Sequence, residues 1–509
     1  MRYVIGCDVG SQTMKVVLWS EEGQILGTDT APYPIDYPQP AWAEQDTSHW
    51  WQAMTAVIPH LYQRLGVSPG DIVAIGIDGT VDGFVPVAES GETLSPHFMW
   101  MDRRAVEECN AIAAQIDPKR LFQTTGLNLD ASHTAAKMLW LKNHRPEIYE
   151  RSWKFMCSAT YAVYLLTGEC VVDYSNASST MVFDVHTRQW SPELLDLMGI
   201  SADLLPEVRR ATDVVGTLRP EAAEALGLSV DTQVVVGCGD EHASCVGAGV
   251  IEPGVVADII GTAEPVCVPA HGPAFDDSQL VETHCHAHPD RWLLENPGFV
   301  SGGNYRWFRD NFYPTPKGAE PTSYEVLNQE AAVVPPGSEG LLFLPSMMGA
   351  MAPEWNSKAR GVFYGLTLAH TRGHMVRAML EGSVFALRSI VESMQRAGIE
   401  TKAIRAVAGG AQSTLLRQIR ADVTGIPVAS LSTAETTVVG AALLAAVGAG
   451  VYSDLQEAAD RTTRVVEVNE PHAANRAVYD QAYANFLQVY ESLKDCYEEC
   501  TLPVQESGS

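Results

Sequence analysis

Basic residues are scarce in this chain: 34 Lys and Arg stand against 62 Asp and Glu, a formal net charge of −28 over 509 residues. Nucleic acids and anionic membrane surfaces are bound through basic surface, so both are excluded as expected partners. An anionic ligand would have to be met by local dipoles and a metal ion rather than by the field of the whole molecule. Apolar runs long enough to span a bilayer are also missing, as is a basic start followed by an apolar core and a small-residue cleavage site. The ten cysteines are scattered, and Cys7, Cys157, Cys238 and Cys267 sit in apolar stretches. They read as small buried hydrophobes in a reducing compartment, which makes the cytoplasm the expected location. Cys496 and Cys500 lie four apart on an expected helix, a poor geometry for a disulfide. Neither a Gly-x-Gly-x-x-Gly nor a Gly-x-x-x-x-Gly-Lys-Ser/Thr pattern occurs at the glycine-rich turns, so a Rossmann or P-loop assignment is unsupported.

What is present is a globular composition, 46% hydrophobic and 19% charged, on a chain too long for one core. Strands and helices alternate, which predicts α/β layers in two large domains. We expect an N-terminal domain over 1–250, a C-terminal domain over 251–450, and terminal helices with a polar tail over 451–509. Tyr3-Val4-Ile5-Gly6-Cys7-Asp8 is an apolar strand ending in a carboxylate. It turns through Val9-Gly10-Ser11-Gln12-Thr13 into a second strand, Lys15-Val16-Val17-Leu18-Trp19. Such a turn offers backbone N–H groups and small hydroxyls to an anion, with Asp8 where a divalent cation needs an oxygen ligand. After Gly254 the pattern returns: strand Val255–Ile260, turn Gly261-Thr262-Ala263, strand Val266–Val268. Coincidence and duplication both explain so short an echo, but two such hairpins across a cleft would clamp a phosphate chain from both sides.

Three further constellations carry chemistry. Asp240 ends the apolar strand Thr232–Gly237 in a Gly-x-Gly-Asp turn and heads a small-residue helix. It is either a base that accepts a hydroxyl proton or the N-cap of that helix, and Glu241 and His242 compete for the base role. Gly409-Gly410-Ala411-Gln412-Ser413 joins the strand Ile404–Val407 to a helix, as a nucleotide-binding turn or a plain connection. Trp100-Met101-Asp102-Arg103-Arg104 suits sugar stacking and hydroxyl bonding, or an interdomain salt bridge. The run His284-Cys285-His286-Ala287-His288 invites a metal reading. Alternation in a strand parts Cys285 from the histidines and no second cluster completes a zinc site, so it reads as a strand leading to the Pro289-Asp290 turn.

Taken together these pieces resemble the FGGY family of carbohydrate kinases, over nearly the whole chain. Its first signature is similar to Thr134-Ala135-Ala136-Lys137-Met138-Leu139-Trp140-Leu141-Lys142-Asn143-His144. Its second is similar to Gly361-Val362-Phe363-Tyr364-Gly365-Leu366 followed by His374–Glu381. Trp42–Asp46, Trp50-Trp51-Gln52, Trp100-Met101-Asp102 and the His-Cys-His run look most like xylulokinases within it. The resemblance implies two actin-like, ribonuclease H-like domains hinged over a cleft, a homodimer, and phosphoryl transfer from Mg-ATP to a sugar hydroxyl, D-xylulose giving D-xylulose 5-phosphate. It implies Asp240 as general base, Asp8 and Asp240 at the Mg²⁺ ion, and Gly10, Ser11, Gln12, Thr13 and Lys15 in the first phosphate loop. Gly261 and Thr262 fall to the second loop, Gly409, Gly410 and Gln412 to the adenosine, and Gly303 to the cofactor site. Thr80, Val81, Asp82, Trp100, Asp102, Arg103, Asp240 and Glu241 fall to the sugar.

The chain departs from that pattern on the sugar side. Gly79-Thr80-Val81-Asp82-Gly83 stands where xylulokinases resemble Gly-Gln-Met-His-Gly, so Asp82 replaces a sugar-contacting His. Gly349-Ala350-Met351-Ala352-Pro353 loses the two charges of Gly-Glu-Arg-x-Pro, and Glu241-His242 replaces Asn-Ala. D-ribulose, L-xylulose, erythritol and glycerol therefore stay open as acceptors, and a silent sugar-binding protein is the alternative of another class.

Overall fold

A computed structural model describes residues 1–313 and 322–499. Cys500 and the polar tail expected at 505–509 lie outside the described residues. The first sheet is built from β1 (Tyr3–Val9), β2 (Thr13–Ser20), β3 (Ile25–Pro32), β4 (Ile72–Gly79), β5 (Val214–Thr217), β6 (Gln233–Val235) and the short β7 (Cys238–Gly239). The second uses β8 (Val255–Ile259), β9 (Ala263–Ala270), β10 (Glu282–Cys285), β11 (Trp292–Val300), β12 (Ala403–Val407), β13 (Val428–Leu431) and β14 (Val465–Asn469). The helices used below are α1 (Ser48–Arg64), α2 (Thr134–His144), α3 (Asp240–Gly247), α4 (Gly302–Phe312), α5 (Arg372–Arg396), α6 (Thr414–Thr424) and α7 (Thr436–Gly448).

The two sheets share one plan. The first runs β3-β2-β1-β4-β6-β5, with β7 also on β4; the second runs β10-β11-β9-β8-β12-β13-β14. From β3 inward the pairings are antiparallel, antiparallel, parallel, parallel and antiparallel. From β11 the same series repeats: antiparallel, antiparallel, parallel, parallel, antiparallel. The short echo between the two hairpins is thus one part of a repeat that spans both halves, and the folds are two mixed α/β domains. The segment after 450 holds helices, but also β14, whose pairing with β13 closes the second sheet.

Between the sheets the helices are exchanged. α7, from the second half, lies on the first sheet, where Val438, Val439, Ala442 and Leu443 join Val4, Val17 and Ala74 in one core. α3, from the first half, puts Cys245 beside Ala257, Cys267 and Val407 of the second sheet. The approach is backbone to backbone. A Cβ on Gly76 of β4 would lie 2.1 Å from the Ala441 carbonyl oxygen, and one on Gly440 would lie 1.9 Å from that of Ala243. Only glycine fits at either place.

A smaller helical layer covers one end of the first domain around Phe84, Phe98, Leu121, Trp140 and Leu141. Its centre is a guanidinium: Arg104 lies 3.6 Å from the Trp42 ring, 4.5 Å from Phe98 and 4.8 Å from Trp140. The loops facing the cleft hang from this layer.

Candidate active site

Three carboxylates reach one place because three parallel strands end there. Asp8 on β1 is opposite Asp78 on β4. Asp78 is in turn opposite Cys238 on β7, and Asp240 follows two residues later. Carboxyl ends of neighbouring parallel strands form the crevice where ligands of open α/β sheets bind. Asp78 was not among the residues singled out from the sequence. A signal was there, since Ile5-Gly6-Cys7-Asp8 and Ile75-Gly76-Ile77-Asp78 repeat one Ile-Gly-x-Asp pattern in register.

The three acids do not share the negative charge equally. Asp78 is wholly buried, and neither carboxylate oxygen accepts from any donor among the described residues. Burial, then the charges of Asp8 and Asp240, push its pKa far above the usual carboxylate range. The protonated form of Asp78 is thus favoured, opposite Asp8. Burial also raises Asp8, to about 6, against the help of Asp78 and of Lys15. Asp240 is raised by burial and then by the neighbouring Glu241 charge. It does not serve as the helix N-cap, a place taken by Gly239 with no side-chain cap. Among the described residues its carboxylate accepts only the adjacent Glu241 N–H, at 3.1 Å.

Both hairpins keep their glycines for shape. Gly10 N–H bonds Thr13 O at 3.1 Å, and Gly261 N–H bonds Ala263 O at 3.0 Å. The N–H groups of Ser11, Gln12 and Thr262 are left without acceptors among the described residues. The first hairpin is braced from outside. Tyr33 Oη donates to Gly10 O at 2.7 Å, Gln45 Nε2 to Ser11 O at 2.9 Å, and Trp100 Nε1 to Ser11 Oγ at 3.0 Å. Lys15, opposite Asp8 on β2, is ion-paired to Glu435 just before α7, which ties the hairpin to the other half.

The second hairpin opens on a cavity of about 610 Å³ lined by Gly261, Thr262, Tyr305, Arg306, Tyr324, Asn328, Gly409, Gly410 and Gln412. That is the size of pockets that enclose a nucleotide-sized ligand. Gly303 N–H bonds Thr262 O at 3.1 Å, and a Cβ on the preceding Gly302 would lie 2.2 Å from Gly261 O, so α4 begins directly on the hairpin. Gly410 N–H bonds Ile260 O at 3.0 Å, fixing the second glycine turn beside it. The Tyr305 and Tyr324 rings stack 5.3 Å apart, and Arg306 reaches Thr262 Oγ1 at 3.4 Å. Tyr305, Tyr324 and Arg306 were not expected, because nothing in a helical stretch of sequence says which face meets a cavity. Glu264 on the wall is held by Arg420, which also binds Asp258; all three side chains are buried.

The loop after β4 packs against the residue that precedes Asp240: a Cβ on Gly239 would meet Val81 Cγ1 at 2.5 Å. Thr80 is buried, with its Oγ1 3.5 Å from Ser158 Oγ. Asp82 adopts a left-handed backbone, φ +57°, and its Oδ1 lies 3.0 Å from His133 Nδ1. The Trp100 cluster requires a correction. Asp102 is fully buried and its oxygens are used by Ala43 N–H at 2.7 Å and the Arg104 guanidinium, so it holds up the cleft wall and does not face a sugar. Arg103 forks onto Asp130 of the same half at 2.8 and 2.6 Å, so its salt bridge is not interdomain. Glu241 stays beside Asp240, with Oε2 buried and unpartnered among the described residues.

The His-Cys-His run lies at the junction of the halves. Strand β10 ends at Cys285, earlier than the Pro289-Asp290 turn. His284 lies 3.3 Å from Ser179 Oγ, and His286 faces Val250 O at 3.2 Å. No group of three His, Cys, Asp or Glu able to hold a metal occurs among the described residues.

A nucleotide-sized pocket on one sheet, strand-end acids on another, and a cleft between repeated halves define a phosphotransferase of the actin-like kind. Comparison with known proteins agrees along the whole chain. The N-terminal domain of the FGGY family of carbohydrate kinases matches residues 3–247, and its C-terminal domain matches 257–449. The chain belongs to the FGGY family of carbohydrate kinases, and is an ATP-dependent sugar kinase. It is 28% identical to a xylulose kinase of Bacillus subtilis, over 97% of this chain and 98% of that one. It is 31% identical to a glycerol kinase of Halorhodospira halophila, over 99% of each chain. The solved structure of a ligand-bound xylulose kinase from Lactobacillus acidophilus superposes with a TM-score of 0.90 at 26% identity, covering 98% of this chain and 99% of that one. No helix among the described residues is long and apolar enough to cross a membrane.

Proposed function

We propose that this kinase transfers the γ-phosphoryl group of Mg-ATP to a primary hydroxyl of a neutral ketopentose, D-xylulose before the others. The observation that carries the reading is Asp240 at the end of β7, beside two more strand-end acids and next to the loop that bears Asp82. The first half takes the sugar and the second the nucleotide, with adenine in the cavity beside Gly409, Gly410 and Gln412. Asp240 orients the acceptor hydroxyl and takes its proton as the oxygen attacks. The free N–H groups of Ser11, Gln12 and Thr262 meet the phosphate oxygens from both sides. Closure of the halves keeps water from competing as acceptor.

Mg²⁺ suits this site through Asp8 and Asp240. Two carboxylates are what a cation needs when phosphates and water supply its remaining ligands. Bound there, it would neutralise the β and γ oxygens of the nucleotide; the excess of acid in the cleft fits such a counter-ion.

ADP release, measured with D-xylulose, D-ribulose, L-xylulose, erythritol and glycerol, tests the reading. The highest kcat/KM is expected for D-xylulose. A polyol preferred tenfold would move the assignment to the second reading, a polyol kinase, which the similarity to a glycerol kinase favours. Inertness toward all five would overturn both.

A further inference from the structure

Asp82 is a costly residue to keep. A non-glycine side chain at φ +57° is strained by an amount on the order of 1 kcal/mol, and such a conformation lasts only where its surroundings impose it. The surroundings here are two residues at the start of α2. Lys137 donates to the Asp82 carbonyl and, at 2.8 Å, to Met99 O; His133 puts Nδ1 3.0 Å from Asp82 Oδ1. The two are four apart, so one face of the helix entry grips both the backbone and the carboxylate of one residue.

His133 is itself held from the other half of the molecule. Its Nε2 lies 3.6 Å from Glu282 Oε1 on β10, an oxygen that also accepts the Asn128 N–H at 2.8 Å. Burial opposes charge on His133, but the Asp82 and Glu282 carboxylates outweigh it and raise its pKa well above the usual imidazole range. Asp82 Oδ2 accepts no hydrogen bond among the described residues, and the side chain is 16% exposed, next in the chain to Val81, which packs against the Gly239 that precedes Asp240.

We infer that Asp82 Oδ2 is a receptor for an acceptor hydroxyl and that His133, tethered by Glu282, is the residue that positions it. The inference rests on the proposed function and deepens it. An ionised carboxylate with one free oxygen accepts from hydroxyl groups and repels carboxylate or phosphate, so the acceptor is a neutral polyhydroxy compound rather than a sugar acid. Because Glu282 comes from the second half, the receptor is correctly aimed only when the halves are together.

Two substitutions separate the faces of the ring. In His133→Asn the amide nitrogen takes the place of Nδ1 and keeps the Asp82 bond; in His133→Gln it takes the place of Nε2 and loses it. With the best acceptor found for the wild type, H133N is expected to stay within about threefold of wild-type KM. H133Q should raise acceptor KM by about tenfold to a hundredfold, the usual value of a hydrogen bond to a charged group, with ATP KM unchanged. Asp82→Asn should raise acceptor KM by a like factor. The double variant D82N/H133Q should be no worse than D82N alone, since His133 acts through Asp82. Equal effects of H133N and H133Q, a parallel shift in ATP KM, or additive losses in the double variant would overturn the inference and leave the proposed function standing. A wild type inert toward every acceptor would instead remove the proposed function, and the inference with it.

Discussion

Asp8 and Asp78 stand opposite one another on adjacent parallel strands, and burial beside Asp8 and Asp240 favours the protonated form of Asp78. A neutral donor is what the second position needs, so Asp78→Asn should be tolerated. Asp78→Leu removes the donor and should cost about 1.5–3 kcal/mol, a hydrogen bond to a charged acceptor. Urea unfolding of the two variants distinguishes them; equal losses would contradict a protonated Asp78.

Asp240→Asn should lower kcat by about 10²–10⁴, the range of a positioned general base, with nucleotide affinity within about threefold of wild type. Steady-state rates and nucleotide titration are the measurements. A variant within tenfold of wild-type kcat would sink the assignment.

Glu282 gives a stability effect with a defined pH window. The His133 and His284 imidazoles overcome its burial and hold its pKa at about 2, below an ordinary value of 4.5. A depressed carboxylate stabilises the fold above the unfolded value and loses that contribution as pH falls toward the folded one. The difference between wild type and Glu282→Gln should therefore be full above pH 4.5, about 3 kcal/mol by linkage, and vanish near pH 2. Denaturant unfolding at pH 7, 4 and 2.5 reads it; a difference that stays constant over that range would refute it.

Gly440→Ala places a methyl carbon 1.9 Å from the Ala243 carbonyl oxygen, and neither backbone has room to retreat. The expected loss is about 1–3 kcal/mol, the range for overpacking, seen as a lower Tm. Unchanged stability would mean that α3 and α7 pack less rigidly than described.

Arg420→Leu strands Asp258 and Glu264 as buried acids without a counter-charge, at a cost of about 3–5 kcal/mol. Replacing all three by apolar side chains should recover most of that loss, which chemical denaturation can follow. No recovery would show that the triad contributes more than charge balance.

Local chemistry was legible in the chain and distant pairing was not. Asp8 and Asp240 could be read because glycines beside a strand-end acid mark a place where something must come close. Asp78 carries the same mark but sits in an unbroken apolar strand, where an acid reads as a strand terminus. Asp102 was misread because composition says what a loop can bind, not which way it faces; burial against Arg104 and Ala43 decides that. Lys15 with Glu435, and Asp82 with His133 and Glu282, join residues far apart in the chain, and no periodicity connects such partners.

The exchange of helices has a consequence for how the protein is made. The face of the first sheet around Gly6 and Gly76 is covered by α7, which ends at Gly448. On the ribosome the N-terminal domain therefore emerges with one apolar face uncovered, and waits for nearly the whole second half before it can be closed. Early segments left open in this way are the ones that chaperones shield and that misassemble when the chain is cut short. Neither half, expressed by itself, would contain the helix that completes the first sheet together with the sheet it completes.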